Sequence, residues 1–402
     1  MKKPMSRTEF VVLMAMMIAT VAFSIDAMLP ALPQIGAELS PGNLNRAQLV
    51  LTSFVVGMGF GTFFTGPLSD TFGRKPVVVA GVALYIAAAL LAYLAPTLEL
   101  MLLARALQGL GAAGPRIVVM AIVRDQFEGR EMARLMSFVM IVFALVPALA
   151  PALGAVVINA AGWRSVFLIF ILFTFVNTIW LMIRQPETLP REDRRPFRIE
   201  PMLMALKEIF SNPMVCLSIA VMTLNFAALF AMLSSVQQVF DITFGRGDSF
   251  PLWFGGVAVV AASASVINAV LVVRIGMRRM ITTAMMAQLL ICTLVIVLEV
   301  IGLPELMRFG LFVFWQTSIF FMVGLTLGNL NAMAMEPLGH IAGLAASMMS
   351  GISTVMAMMF AVPIGLAFDG TPLPLAVGTF ALISMGLVLM GWLRRIEARQ
   401  LA

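Results

Sequence analysis

Charge is scarce in this chain: Asp, Glu, Lys and Arg together supply 11% of the 402 residues, against 61% hydrophobic. A typical soluble domain carries about 25% charged residues, and a soluble protein of this length needs them to cover its surface. The shortage excludes a soluble enzyme, a disordered chain and a fibrous protein. The single histidine, His340, removes every His-based catalytic or zinc constellation. The two cysteines, Cys216 and Cys292, sit in apolar stretches and make neither a disulfide framework nor a metal site. No G-x-x-x-x-G-K-[ST] loop is present, so ATP does not drive the protein directly. Catalytic residues, metal ions and cofactors are therefore not expected, and the chain is not read as an enzyme. Nor is a cleavable signal peptide expected, because the first apolar run continues past about twenty residues and lacks an A-x-A-like site.

What the chain has is apolar runs. At ~20 residues per span, its hydrophobic residues fill about twelve helices. The runs fall near 9–32, 47–67, 77–95, 98–122, 135–159 and 164–183, then near 214–238, 251–273, 280–301, 307–334, 342–366 and 373–393. Six, a break, then six predicts an all-α membrane protein of twelve transmembrane helices in two six-helix halves, residues 1–183 and 213–402. The polar segment 184–212 reads as a cytoplasmic linker, with a short amphipathic helix over Met202–Phe210.

Basic residues set the expected orientation. With the N-terminus inside, twenty Lys and Arg fall on the cytoplasmic side, from Lys2 and Lys3 through the linker to Arg399. Only Arg46, Arg164, Arg246 and Arg308 fall opposite, so both termini are expected to be cytoplasmic. The same scatter through short loops accounts for the net charge of +6 and argues against a nucleic-acid partner. The expected partners are the lipid bilayer, protons and a small-molecule substrate, with the chain itself a monomer.

Two basic residues, Arg105 and Arg116, fall inside a span. An Arg at a helix centre costs roughly 2.5–3.5 kcal/mol on insertion scales, so it faces a cavity or a partner. Eleven residues separate the two arginines, which places them ~20° apart around the helix and ~16 Å apart along it. Gln108 borders the same stripe. Gly109, Gly111, Ala112 and Ala113 make this a thin helix that neighbours approach closely. Asp26 is the clearest intramembrane acid, with Glu299 near a span end as its rival. An acid in apolar surroundings resists ionisation while a nearby Arg favours it, a combination suited to exchanging a proton as the protein changes shape. Small residues with Pro147 and Pro151 predict a kinked, closely packed fifth span. Between spans two and three, Gly66 is expected to allow close packing and Gly73 a tight turn. Asp70 beside Arg74 and Lys75 is expected to form charge-assisted hydrogen bonds.

These segments carry a family resemblance. Gly66-Pro-Leu-Ser-Asp70-Thr-Phe-Gly73-Arg74-Lys75 resembles the G-x-L-x-D-x-x-G-R-[RK] loop of the major facilitator superfamily at all six defined positions. Arg105-Ala-Leu-Gln108-Gly109 is similar to the family's R-x-x-Q-G motif. Ser24-Ile-Asp26-Ala-Met-Leu-Pro-Ala-Leu-Pro33 resembles a stretch of the bicyclomycin and chloramphenicol resistance (Bcr/CflA) exporters, with Ala27-Met28 where Met-Tyr is common. Phe143 to Gly154 resembles the antiporter motif G-P-x-x-G-G, keeping Pro151 and Gly154 while Ala150 and Ala155 replace glycines. Pro186-Glu-Thr-Leu189 resembles a stretch typical of the superfamily, and Asn331 to Ala334 followed by His340 to Ser347 resembles the Bcr/CflA branch. The resemblance implies the major facilitator fold, a cytoplasmic gating loop at Gly66, Asp70, Gly73, Arg74 and Lys75, and drug–proton antiport.

The expected function is proton-coupled secondary transport by alternating access, exporting small hydrophobic drugs or metabolites across a bacterial inner membrane. Asp26 and Arg105 are the proton-coupling pair, and Gln108 and Arg116 complete the substrate cavity. Asn225, Gln237, Asn268, Gln288 and Gln316 are the second half's polar candidates. His340 is expected to pack in a loop rather than relay protons. The 33 methionines suit a promiscuous pocket or a lipid-facing surface. The alternatives are a carrier for uptake or exchange of a small anionic metabolite, bound by Arg105 and Arg116, and a non-transporting membrane receptor or sensor.

Overall fold

The structure, a computed structural model, describes residues 5–401. Lys2 and Lys3 of the basic tally lie outside the described residues. Helix α1 (Arg7–Asp26) opens on Ser6, whose side chain accepts the Glu9 N–H and satisfies a donor that no helical carbonyl can reach. The first apolar run is not one helix to residue 32, as the sequence suggested. Pro30 and Pro33 have no N–H to donate to the carbonyls four residues back, those of Asp26 and Leu29, so α1 ends at Asp26 and a short 3-10 turn, Leu29–Ala31, leads into α2 (Leu32–Leu39).

Then follow α3 (Leu49–Phe72), α4 (Arg74–Tyr93), α5 (Leu98–Gln126), α6 (Gly129–Ala161) and α7 (Ser165–Arg184). The amphipathic linker helix is present as α8 (Glu200–Ser211), burying Met202, Ala205 and Ile209. The chain continues as α9 (Pro213–Gln238), α10 (Phe250–Ile275), α11 (Met277–Ile301), α12 (Glu305–Met335), α13 (Ala342–Leu366) and α14 (Leu373–Leu401). Eleven segments are long and apolar enough to cross a membrane, and the 62-residue one, Glu305–Leu366, holds both α12 and α13. Counted singly, twelve such helices stand among the described residues. Leu252, Val273, Leu290 and Val300 stand exposed, as expected where hydrocarbon replaces water.

The chain divides into two compact units, one of residues 1–42 and 53–200, the other of 43–52 and 201–402. In the first, α5 packs against α1 and α4, while α1 also meets α6 and α7. Its core is apolar, from Phe10, Leu13 and Met14 through Val78 and Val118 to Leu181. In the second, α9 is central and packs on α12, α13 and α14. Residues 43–52 join this unit through side chains: Asn45 Nδ2 donates to Phe368 O at 2.7 Å, Gln48 Nε2 donates to Gly365 O at 3.0 Å, and Gln48 also donates to Gln238.

Missing side chains let α5 be approached from two sides. A Cβ at Gly57 of α3 would collide with the Ala106 carbonyl, and one at Gly109 with the Phe54 carbonyl. Gly111 meets Gly81 and Tyr85 of α4 in the same way. Gly66, by contrast, has nothing near the position its Cβ would take, so the close packing expected there is absent. It lies within α3, which stays helical through Pro67 to Phe72. The expected eleven-residue loop is therefore one residue, Gly73, whose φ of +100° separates α3 from α4. Overpacking costs about 1–3 kcal/mol, so Gly57→Val and Gly109→Val should each lower the melting temperature in detergent. Gly256→Ala, at a position with open space around it, should leave it unchanged, as differential scanning fluorimetry would read directly.

Candidate functional site

Arg105 is fully buried in α5. Its Nη1 donates to Gln108 Oε1 at 2.7 Å, and its Nη2 donates to the Ser24 carbonyl of α1 at 3.0 Å. The guanidinium carbon also sits 4.4 Å from the Phe54 ring centroid, a cation–π contact worth about 2 kcal/mol when desolvated. Ser24 is held in turn: its hydroxyl shares a 2.5 Å hydrogen bond with the Tyr85 hydroxyl and donates to Thr20 O at 2.6 Å. Sequence reasoning missed Tyr85, one of two tyrosines in the chain.

Asp26, two residues past Ser24, is 5% exposed, and its carboxyl makes no hydrogen bond or ion pair among the described residues. The arginine thus grips the backbone beside the acid, and the direct tuning of Asp26 by Arg105 expected from sequence has no ion pair behind it. A carboxyl that no donor or cation engages can take up and release a proton as its surroundings change. The Nε2 of buried Gln108 is likewise without a partner.

The α6 motif reaches the same place. A Cβ at Gly154 would collide with the Ala27 carbonyl, so this glycine lets α6 lie directly on the turn that follows Asp26. Pro147 and Pro151 lie in the same helix, which runs unbroken from Gly129 to Ala161. Arg116 donates to the Met58 sulfur at 3.4 Å.

A second network surrounds Gly73. Arg74 donates to Asp125 at 2.9 and 3.2 Å, to Ser69 Oγ at 2.8 Å and to Asp70 Oδ1 at 2.5 Å. Glu187 accepts the Arg74 and Lys75 backbone N–H groups at 2.9 and 3.0 Å, placing a carboxylate on the α4 N-terminus. Lys75 Nζ answers by donating to the Met182 and Gln185 carbonyls at 3.0 and 2.7 Å, at the C-terminal end of α7. Lys75 therefore caps α7, and the charge-assisted bond to the Asp70 side chain comes from Arg74. A Cβ at Gly73 would meet both Glu187 and the Arg194 guanidinium, and Arg195 N–H donates to Asp70 O at 3.1 Å. Asp125 was not singled out from sequence, and Glu187 entered there only as part of the Pro186–Leu189 motif, with no role assigned. Their signal was an acid at the end of a long apolar helix and another just past one.

In the second unit the polar candidates scatter. Asn268 Oδ1 accepts from Asn329 at 2.7 Å, and Gln288 reaches the Cys292 sulfur at 3.6 Å. Among the described residues, buried Gln316 has neither amide atom partnered, and Asn225 Oδ1 and Gln237 Oε1 are also unpartnered. Glu299 is held by Arg308 at 2.7 Å, and His340 packs on Glu208 at 3.1 Å. No group of three or more metal-ligating side chains occurs among the described residues.

The family model described as the Major Facilitator Superfamily matches residues 12–361. The chain belongs to the major facilitator superfamily. Among relatives of this transporter, the MFS-type transporter YdgK of Bacillus subtilis is 25% identical over 387 residues, 94% of each chain. The bicyclomycin resistance protein homolog of Haemophilus influenzae is 28% identical over 371 residues, covering 90% of this chain and 91% of its own. The multidrug resistance protein MdtL of Escherichia coli is 39% identical over 145 residues, 36% of each chain. A solved D-xylose–proton symporter superposes with a TM-score of 0.75 at 13% identity, covering 95% of this chain and 97% of its own. It shares the fold. The facilitator is thus a multi-pass membrane transporter, and its motifs occupy two separate clusters in the first unit.

Removing one partner of a buried ion pair costs about 3–5 kcal/mol. Arg74→Ala should therefore destabilise the facilitator and slow transport, whereas Arg74→Lys should restore part of both. Transport at the wild-type rate by well-inserted Arg74→Ala protein in liposomes would remove the network from the transport cycle.

Proposed function

We propose that this facilitator is a proton-coupled exporter of small hydrophobic molecules, of the Bcr/CflA type, in the bacterial cytoplasmic membrane. The observation that carries the reading is Asp26: a buried carboxyl with no partner among the described residues, beside a backbone carbonyl that Arg105 grips. Relatives bearing bicyclomycin and multidrug resistance names support the export direction. The basic residues favour both termini in the cytoplasm, with the Gly73 network at the cytoplasmic face.

In this reading residues 1–183 rock against 213–402, opening the transport site to one side at a time. Asp26 takes a proton from outside and releases it inside. Proton and substrate bias opposite states, each by its differential affinity for them. Arg105 acts as a positioning residue, fixing the end of α1 so that the carboxyl faces the site. The bond to Ser24 keeps this geometry while the proton comes and goes.

Asp26→Asn mimics the protonated acid. It should still bind substrate but lose any response to a pH gradient, measured as drug-driven proton movement in liposomes holding a pH-sensitive dye. Arg105→Ala should impair both binding and coupling. An Asp26→Asn protein whose export still follows the proton gradient, with an unchanged pH profile, would refute the assignment.

A further inference from the structure

Arg116 carries a charge that nothing described around it answers. Arg7, Arg74, Arg164, Arg184 and Arg308 each reach a carboxylate within 3 Å. Arg116 is half-buried in α5, and its one partner among the described residues is the Met58 sulfur, at 3.4 Å. A thioether is a weak, neutral acceptor, whereas a guanidinium presents five N–H donors in a planar fork. A charge taken part-way out of water without a counter-charge or strong acceptors is costly.

Two neighbouring features give that charge a use. By helical geometry Arg116 lies on the same face of α5 as Arg105, ~16 Å along the axis. On α3, Phe54 lies against Arg105 and Met58 against Arg116. Phe54 and Met58 are four residues apart, hence on one face of α3. The same α3 face thus offers each arginine an apolar wall. Arg105 has that wall plus Gln108 and the Ser24 carbonyl, whereas Arg116 has the wall alone. A planar fork beside an adaptable methionine suits an oxyanion carried on an apolar body.

We infer that Arg116 is the anion-binding subsite of the transport site, and that the preferred substrates are amphipathic anions: an aliphatic or aromatic body bearing a carboxylate, sulfonate or phosphate. The inference rests on the transport reading above and narrows its substrate class. The head group pairs with the guanidinium in place of a protein carboxylate, and Met58 packs against the first carbons of the tail.

The test uses the full chain in phosphatidylcholine nanodiscs and a panel of apolar acids, from benzoate to dodecanoate, each matched with its primary amide. Wild-type protein should bind acids of the panel about tenfold or more tightly than their amides, the range of a charge-assisted hydrogen bond. Arg116→Gln should lose that preference while its affinity for the amides stays within about twofold. Arg116→Lys should keep part of it. Equal binding of every acid and its amide by wild-type protein overturns the inference, as does a preference that survives in Arg116→Gln. A repeat with phosphatidylglycerol added separates the sources of the anion: if the lipid abolishes acid binding, the guanidinium holds a headgroup and the substrate assignment falls. Proton movement driven by a neutral drug in wild-type liposomes reads the exporter function separately. Its presence keeps that function standing when the anion preference fails.

Discussion

A guanidinium buried between helices has to be given hydrogen-bond acceptors by the protein, and Arg105 receives them from α1 and its own helix. That requirement organises the first unit. To bring the Phe54 ring within reach, α5 must lie close to α3, which Gly57 and Gly109 permit, and Gly111 lets it lie as close to Tyr85 of α4. The glycines at 57, 109 and 111 are thus the packing counterpart of the charge. Tyr85 completes the arrangement by fixing Ser24 from the α4 side. An interior charge of this kind is expensive in hydrocarbon, and its hydrogen bonds and the cation–π contact offset much of that cost.

The Gly73 network solves a different problem with the same kinds of groups. Helix ends leave backbone donors and acceptors unsatisfied, with partial charges that attract opposite side chains. Glu187 takes the donors at the start of α4, and Lys75 takes the acceptors at the end of α7. Each side chain belongs to the helix end or segment that the other satisfies, so α4 and α7 are tied reciprocally. Arg74 adds a third helix through Asp125 of α5. Three helix ends are locked around one residue of positive φ.

Much of this was legible in the chain. The spans, the break after the sixth, the amphipathic linker helix and the intramembrane Arg and Asp all follow from hydropathy and helical period, because a bilayer imposes a fixed length and forbids uncompensated charge. The break of the first run at Asp26 was carried by Pro30 and Pro33 yet read as a continuous span, since hydropathy does not register a turn among apolar residues. The loop of Gly66 to Pro76 shrank to Gly73 because one interior proline removes one hydrogen bond without ending α3. The roles of Asp125 and Glu187 stayed hidden for another reason. Their partners lie 51 and 113 residues away, and no local pattern marks an acid that waits for a distant helix end.

The sequence by itself determined the twelve apolar helices and which residues carry charge into them. Composition and periodicity act locally, and each span must meet the bilayer's demands on its own. Only the tertiary structure decided what each buried charge touches. It gave Arg105 the Ser24 carbonyl, left the Asp26 carboxyl without a partner among the described residues, set Met58 against Arg116, and laid Gly154 on the turn after Asp26. Those outcomes depend on how closely helices far apart in the chain approach and at what rotation. Periodicity fixes the face a residue occupies, but packing fixes what that face meets.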